Sequence, residues 1–98
     1  MSNNGNRRVV VTGMGALTPI GLNVQDFFEN MMKGTSGSAT INGFDTSKLD
    51  TKFACELKGF DVAKYLDRKT ARRLDRYAQY AMAASMQAVD DSGLDTKT

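Results

Sequence analysis

Residues 7–21, Arg-Arg-Val-Val-Val-Thr-Gly-Met-Gly-Ala-Leu-Thr-Pro-Ile-Gly, decide how this chain is read. Val9, Val10, Val11 and Thr12 form an apolar run too short for a helix and rich in β-branched residues, which predicts a buried strand. Gly13 and Gly15 then free the backbone for a tight turn or a close approach to other groups. Pro19 and Gly21 keep the next residues irregular until a helix begins. A strand, a glycine-rich exit and a helix together open an α/β domain.

The glycine-rich exit has two readings. As a nucleotide-binding turn it would seat phosphates at a helix N-terminus. The dinucleotide fingerprint needs glycine at position 18, which is Thr18, and the short-chain dehydrogenase pattern needs glycines where Leu17 and Pro19 stand. Pro19 also lacks the N–H that a phosphate cradle uses. An NAD-dependent reductase is therefore disfavoured. The structural reading, in which the glycines allow tight packing of the strand exit, is favoured.

Downstream, Asn23 is placed to cap a helix, with Leu22 and Phe27 as a hydrophobic staple. Val24, Phe27, Phe28 and Met31 give it one apolar face, and Gly34 ends it after Lys33. Thr35 to Thr40 is a loop by composition. Ile41 to Phe44 and Lys52 to Phe60 predict a hairpin-like excursion. In its second arm Phe53, Cys55 and Leu57 should be buried, with Ala54, Glu56 and Lys58 wetted. Cys55 is the sole thiol in a chain with no histidine. A catalytic cysteine needs a base or a positive field, so Cys55 is expected to be a small buried hydrophobe.

Asp61 should cap a short helix, with Phe60 and Tyr65 as its staple. Residues 64–76 then carry six basic and two acidic side chains, whereas the rest of the chain carries seven and nine. The net charge of +2 hides this local patch. On one helix, Lys69, Arg72, Arg73 and Arg76 would share a side. Such a stripe is either a solvated face or a dock for an acidic partner. Nucleic acid is disfavoured because no aromatic residues interleave with the cations. A final helix is predicted over roughly Thr70 to Asp91. Leu74, Ala78, Ala81, Ser85 and Ala88 form its packing stripe, widened by Met82, Met86 and Val89. Gly93 ends it, with Leu94 and Val89 in contact.

Four segments resemble, in order, the start of the β-ketoacyl-acyl-carrier-protein synthases of type II fatty acid synthesis. They are VVVTGMGALTPIG (9–21), FDTSKLDTKFACELKGFD (44–61), RKTARRLDRYAQYA (68–81) and AVDDSGL (88–94). The resemblance implies a thiolase-like layered α/β/α/β/α fold of which this chain holds part of the first half. Residues 1–6 are expected to be a frayed leader, and 7–98 an incomplete ketosynthase domain. It implies decarboxylative condensation of an acyl group, held on a cysteine, with malonyl-acyl carrier protein. That cysteine and two assisting histidines would lie beyond Thr98, so the piece alone is expected to be inactive. No organic cofactor or metal is implied. By position, Lys69, Arg72 and Arg73 would dock acyl carrier protein. The family is typically homodimeric. A non-catalytic synthase-like or carrier-binding module is the alternative.

Composition bounds the rest. Ninety-eight residues, 41% of them hydrophobic, make one small domain at most. One cysteine excludes a disulfide framework and fits a reducing cytoplasm. The apolar run after Arg7-Arg8 is too interrupted for a signal peptide, and nothing is long enough to span a membrane. An α/β fold should return a strand beside the first, and none follows the last helix. The isolated chain is accordingly expected to fold poorly or aggregate.

Overall fold

A computed structural model of the chain describes residues 5–96, so residues 1–4 of the expected leader lie outside the described range. The elements are α1 (Val24–Met32), β1 (Ala39–Thr40), β2 (Phe53–Ala54), a 3₁₀ turn (Val62–Lys64), α2 (Arg68–Arg73) and α3 (Arg76–Ser92).

The leading strand is the first correction. Val9 and Val11 are 92% and 80% exposed, and no described segment pairs with them. A β-branched run becomes a strand only when another backbone takes its N–H and C=O groups, and the described residues contain none beside it. The glycine exit, by contrast, packs as the structural reading requires. A Cβ on Gly13 would overlap the Ala88 carbonyl oxygen, and one on Gly15 the Ala84 carbonyl oxygen. Both glycines let the chain lie directly on the α3 backbone.

The first helix follows its local signals. Asn23 Oδ1 accepts from the Asp26 N–H at 2.8 Å, and Gly34 closes the helix with φ of 75°. Leu22, Val24 and Phe27 are half-buried, but Phe28 and Met31 are exposed. The apolar face is thus wider than the cover it receives from described residues.

Antiparallel pairing joins β1 to β2 with Ala39 opposite Ala54 and Thr40 opposite Phe53, and the Ile41 N–H extends it to the Lys52 carbonyl at 2.9 Å. The hairpin exists, with its first arm starting two residues earlier than expected. Its faces depart from the expected alternation at residues 53–56, while Leu57 is half-buried and Lys58 exposed as expected. Phe53 is 63% exposed and Cys55 is exposed, while Ala54 and Glu56 are half-buried beside half-buried Leu57. Alternation marks two faces but does not say which one a neighbour covers. The Glu56 carboxylate accepts from the Asn42 N–H at 3.0 Å in an exposed bond across the hairpin.

The long helix is also corrected. It does not start at Thr70: the chain breaks at Leu74 (φ −110°, ψ 136°), and α3 begins at Arg76. Its inward face is Tyr80, Ala83, Ala84, Gln87 and Ala88, of which Ala83 is fully buried. Ala81 and Ser85 of the expected stripe are exposed, as are Met82, Met86 and Val89. Gly93 ends the helix with φ of 72°. Leu94 and Val89, the expected contact pair, are both exposed, and the Leu94 N–H donates to Ser92 Oγ at 3.1 Å. No described helix is long and apolar enough to cross a membrane.

Candidate protein-docking site on a short basic helix

The cations predicted for docking lie on α2. Asp67 starts this helix: its Oδ1 accepts from the Thr70 N–H at 2.7 Å. Hydrogen bonds from Thr70, the side-chain one first, hold the Asp67 carboxyl below its ordinary value of 3.8. Arg68, Lys69, Arg72 and Arg73 follow within six residues and are all exposed. Lys69, Arg72 and Arg73 sit at i, i+3 and i+4 and so share one side. None of the three makes an ion pair or side-chain hydrogen bond with a described residue.

Arg76 is the exception to the expected stripe. Because α2 ends at Arg73, Arg76 opens a second helix and lines a cleft of about 330 Å³ with Leu57, Phe60, Val62, Gln79 and Tyr80. The sequence signal for the break is Leu74-Asp75. Asp75 is a good residue for the first position of a new helix, although its side chain makes no capping bond here.

Two devices hold α2 in place. In front of it, Asp61 Oδ1 accepts from the Ala63 N–H at 3.1 Å and starts the 3₁₀ turn. Phe60 stacks on Tyr65 with ring centroids 6.0 Å apart and meets Tyr80 of α3 edge-on at 5.2 Å, so the expected staple is present and anchored to α3. Behind it, Gln79 reaches back from α3. Its Nε2 donates to the carbonyls of Ala71 at 2.9 Å and Leu74 at 3.3 Å. A groove of about 420 Å³ runs between the turn and α2, lined by Val62, Ala63, Leu66 and Ala71 and rimmed by Arg68 and Arg72. An apolar groove with a cationic rim is complementary to an acidic, amphipathic surface.

The other candidates offer less chemistry. Met14 and Ala16 give their N–H groups to Asp91 Oδ2 and Gln87 Oε1, each at 3.0 Å, so two donors of the glycine turn are engaged with α3. Gln87 also donates through Nε2 to the Leu22 carbonyl at 2.7 Å and Tyr65 Oη at 2.9 Å. Three segments meet on this one amide. Neither Gln79 nor Gln87 was marked by sequence reasoning, because a glutamine in a helix carries no periodic signal of its partners. Cys55 stands exposed in a chain without histidine. Among the described residues no group of three metal-ligating side chains occurs.

The family described as "Beta-ketoacyl synthase, N-terminal domain" matches residues 6–98. The chain is 46% identical, over 96% of its length, to 3-oxoacyl-[acyl-carrier-protein] synthase 2 of Synechocystis sp.. It is 47% identical over 91% to the Vibrio cholerae protein of that name. It covers only 23% and 22% of those relatives. Among solved structures it resembles the ishigamide ketosynthase/chain length factor, with a TM-score of 0.84 and 37% identity over 91% of this chain and 22% of that one. The fold is therefore that of the matching part of a ketosynthase, and the chain belongs to the β-ketoacyl synthase family through its N-terminal domain.

Proposed function

We propose that this chain is the N-terminal segment of a 3-oxoacyl-acyl-carrier-protein synthase. The observation that carries the reading is identity of 46–48% to synthases of that name across more than nine tenths of the chain. The complete protein would take an acyl group onto a cysteine outside these residues. It would condense that group with malonyl-acyl carrier protein, releasing carbon dioxide and adding two carbons. Two histidines, also outside, would stabilise the developing oxyanion by hydrogen bonds aimed at forming charge. Residues 7–98 would form part of a thiolase-like layered domain in a cytoplasmic homodimer. The chemistry so described uses no organic cofactor.

The role proposed for the described residues is recruitment. Lys69, Arg72 and Arg73 dock the acidic surface of acyl carrier protein, supported by their exposure, shared side and lack of partners among the described residues. Each exposed ion pair contributes only about 0.2–1 kcal/mol. The summed field acts more on encounter rate and orientation. In the full-length protein, Arg73→Glu should lower kcat/KM for carrier-linked substrates about three- to thirty-fold. Equal loss on small thioesters would assign Arg73 a structural role instead.

A second reading, a synthase-like subunit without the nucleophile, draws on the chain length factor named in the matched structure. The full-length sequence separates the two. A cysteine and two histidines downstream select the enzyme, and their absence selects the partner.

A further inference from the structure

A six-residue helix does not hold its own shape. It closes too few internal hydrogen bonds to offset the cost of ordering its backbone. Yet α2 is the element that carries Lys69, Arg72 and Arg73, and it ends abruptly at Leu74. The last carbonyls of a helix lack partners within it and need donors from elsewhere. The 3.3 Å bond from the Leu74 N–H to the Ala71 carbonyl is long. The shorter bond to the Ala71 carbonyl, at 2.9 Å, comes from the Gln79 side chain of α3, which also reaches the Leu74 carbonyl at 3.3 Å. Gln79 is half-buried and lines both the groove beside α2 and the cleft that Arg76 enters.

We propose that Gln79 is a positioning residue for the docking surface: its amide clamps the C-terminal end of α2 to α3 and so fixes the angle at which Lys69, Arg72 and Arg73 meet the carrier protein. The inference rests on the docking role proposed above and extends it to a residue that touches no partner. A bidentate donor at the break explains why α2 and α3 stay two helices with a set crossing rather than a frayed single one. It also explains how long, flexible cations present a repeatable pattern. Their stems start from a backbone that is held at both ends, by Asp67 in front and by Gln79 behind.

The test uses the full-length protein with Gln79→Leu, which keeps the bulk and removes both donors, and Gln79→Glu, whose carboxylate faces the two carbonyls. Hydrogen exchange across residues 70–75 should quicken in both variants. KM for an acyl-carrier-protein substrate should rise about three- to ten-fold, the effect of one or two hydrogen bonds. The kcat value, and the KM of a small acyl thioester, should stay at the level of the unaltered protein. Towards pH 5, Gln79→Glu should regain carrier affinity relative to the unaltered protein as its carboxyl takes up the proton that restores a donor, whereas Gln79→Leu should not. Unchanged exchange at residues 70–75 overturns the clamp. Quickened exchange with equal loss on both substrates overturns the positioning role. Arg73→Glu, measured alongside, isolates the docking reading. If it weakens carrier-linked and small substrates alike, that reading falls and the positioning role falls with it, even where exchange shows the clamp itself.

Discussion

At Gly15 a single methyl group would separate two segments of the molecule. Its Cβ would overlap the Ala84 carbonyl oxygen and lie 2.8 Å from Gln87 Cβ, and a helix backbone cannot yield as a flexible side chain can. Gly15→Ala in the full-length protein should therefore lower stability by about 1–3 kcal/mol, seen as a lower urea midpoint at unchanged slope. Gly43→Ala is the matched control. Its Cβ meets only the end of the Glu56 carboxylate, at 3.2 Å, and should change the midpoint by less than about 0.5 kcal/mol equivalent. Close packing at Gly15 also brings the Ala16 N–H within 3.0 Å of Gln87 Oε1, so the glycine and the glutamine act together. The glycine was legible in the sequence as a place of close approach. The glutamine was not, since its partners lie 65 and 71 residues away in the chain.

Short elements here are held by their ends. The Asn23, Asp61 and Asp67 side chains each accept a backbone N–H at a helix start. Gly34 and Gly93 close α1 and α3 in the left-handed region, where glycine is least strained. Asp67 gives the set a pH signature. Its carboxyl is held below 3.8 by Thr70, so the ionised form is favoured in the folded state. The contribution is fully present above that ordinary value and is lost as pH falls through the lowered folded one. Amide protection at Thr70 and Ala71 should follow that course, and Asp67→Asn, which caps without titrating, should flatten it. The expected helix start near Thr70 rests on side-chain spacing and on no end signal. The cationic periodicity runs smoothly from Lys69 to Arg76, whereas the backbone breaks at Leu74-Asp75. Side-chain period is blind to a break that leaves the spacing intact.

Over the whole molecule, too much apolar surface is open for a free-standing domain. The radius of gyration is 17.8 Å, against about 13 Å for a compact chain of this length. The accessible surface is 8102 Å², against about 5,500 Å² for a compact monomer of 10.7 kDa. Val9, Val11, Phe28, Met32 and Phe53 are exposed, and Ala83 alone is a fully buried apolar residue among those described. These faces are suited to be covered by further protein, in keeping with a chain that spans about a quarter or less of its relatives' length. Expressed alone, residues 1–98 should aggregate or unfold without cooperativity. A sharp two-state transition from a monomer, measured by calorimetry and sedimentation, would overturn that expectation.

Local chemistry was determined by the sequence alone. Caps, turns, the aromatic staple and the cationic run each depend on residues within a few positions of one another, so each could be read from spacing. Family membership was legible for a related reason, because several such local motifs recur in a fixed order. Which faces are covered was decided only by tertiary structure. Val9 to Val11 need a neighbouring strand, Phe53 and Cys55 need a cover, and the α3 methionines need a second wall. None of those is supplied within residues 5–96. Tertiary structure also decided the polar clamps. The donors of Gln79 and Gln87 meet carbonyls and a hydroxyl that only folding brings within 3.3 Å. Burial and the Gln87 bonds belong to pairs of distant residues, and the nearer Gln79 bonds exist only because the backbone turns at Leu74 between two helices.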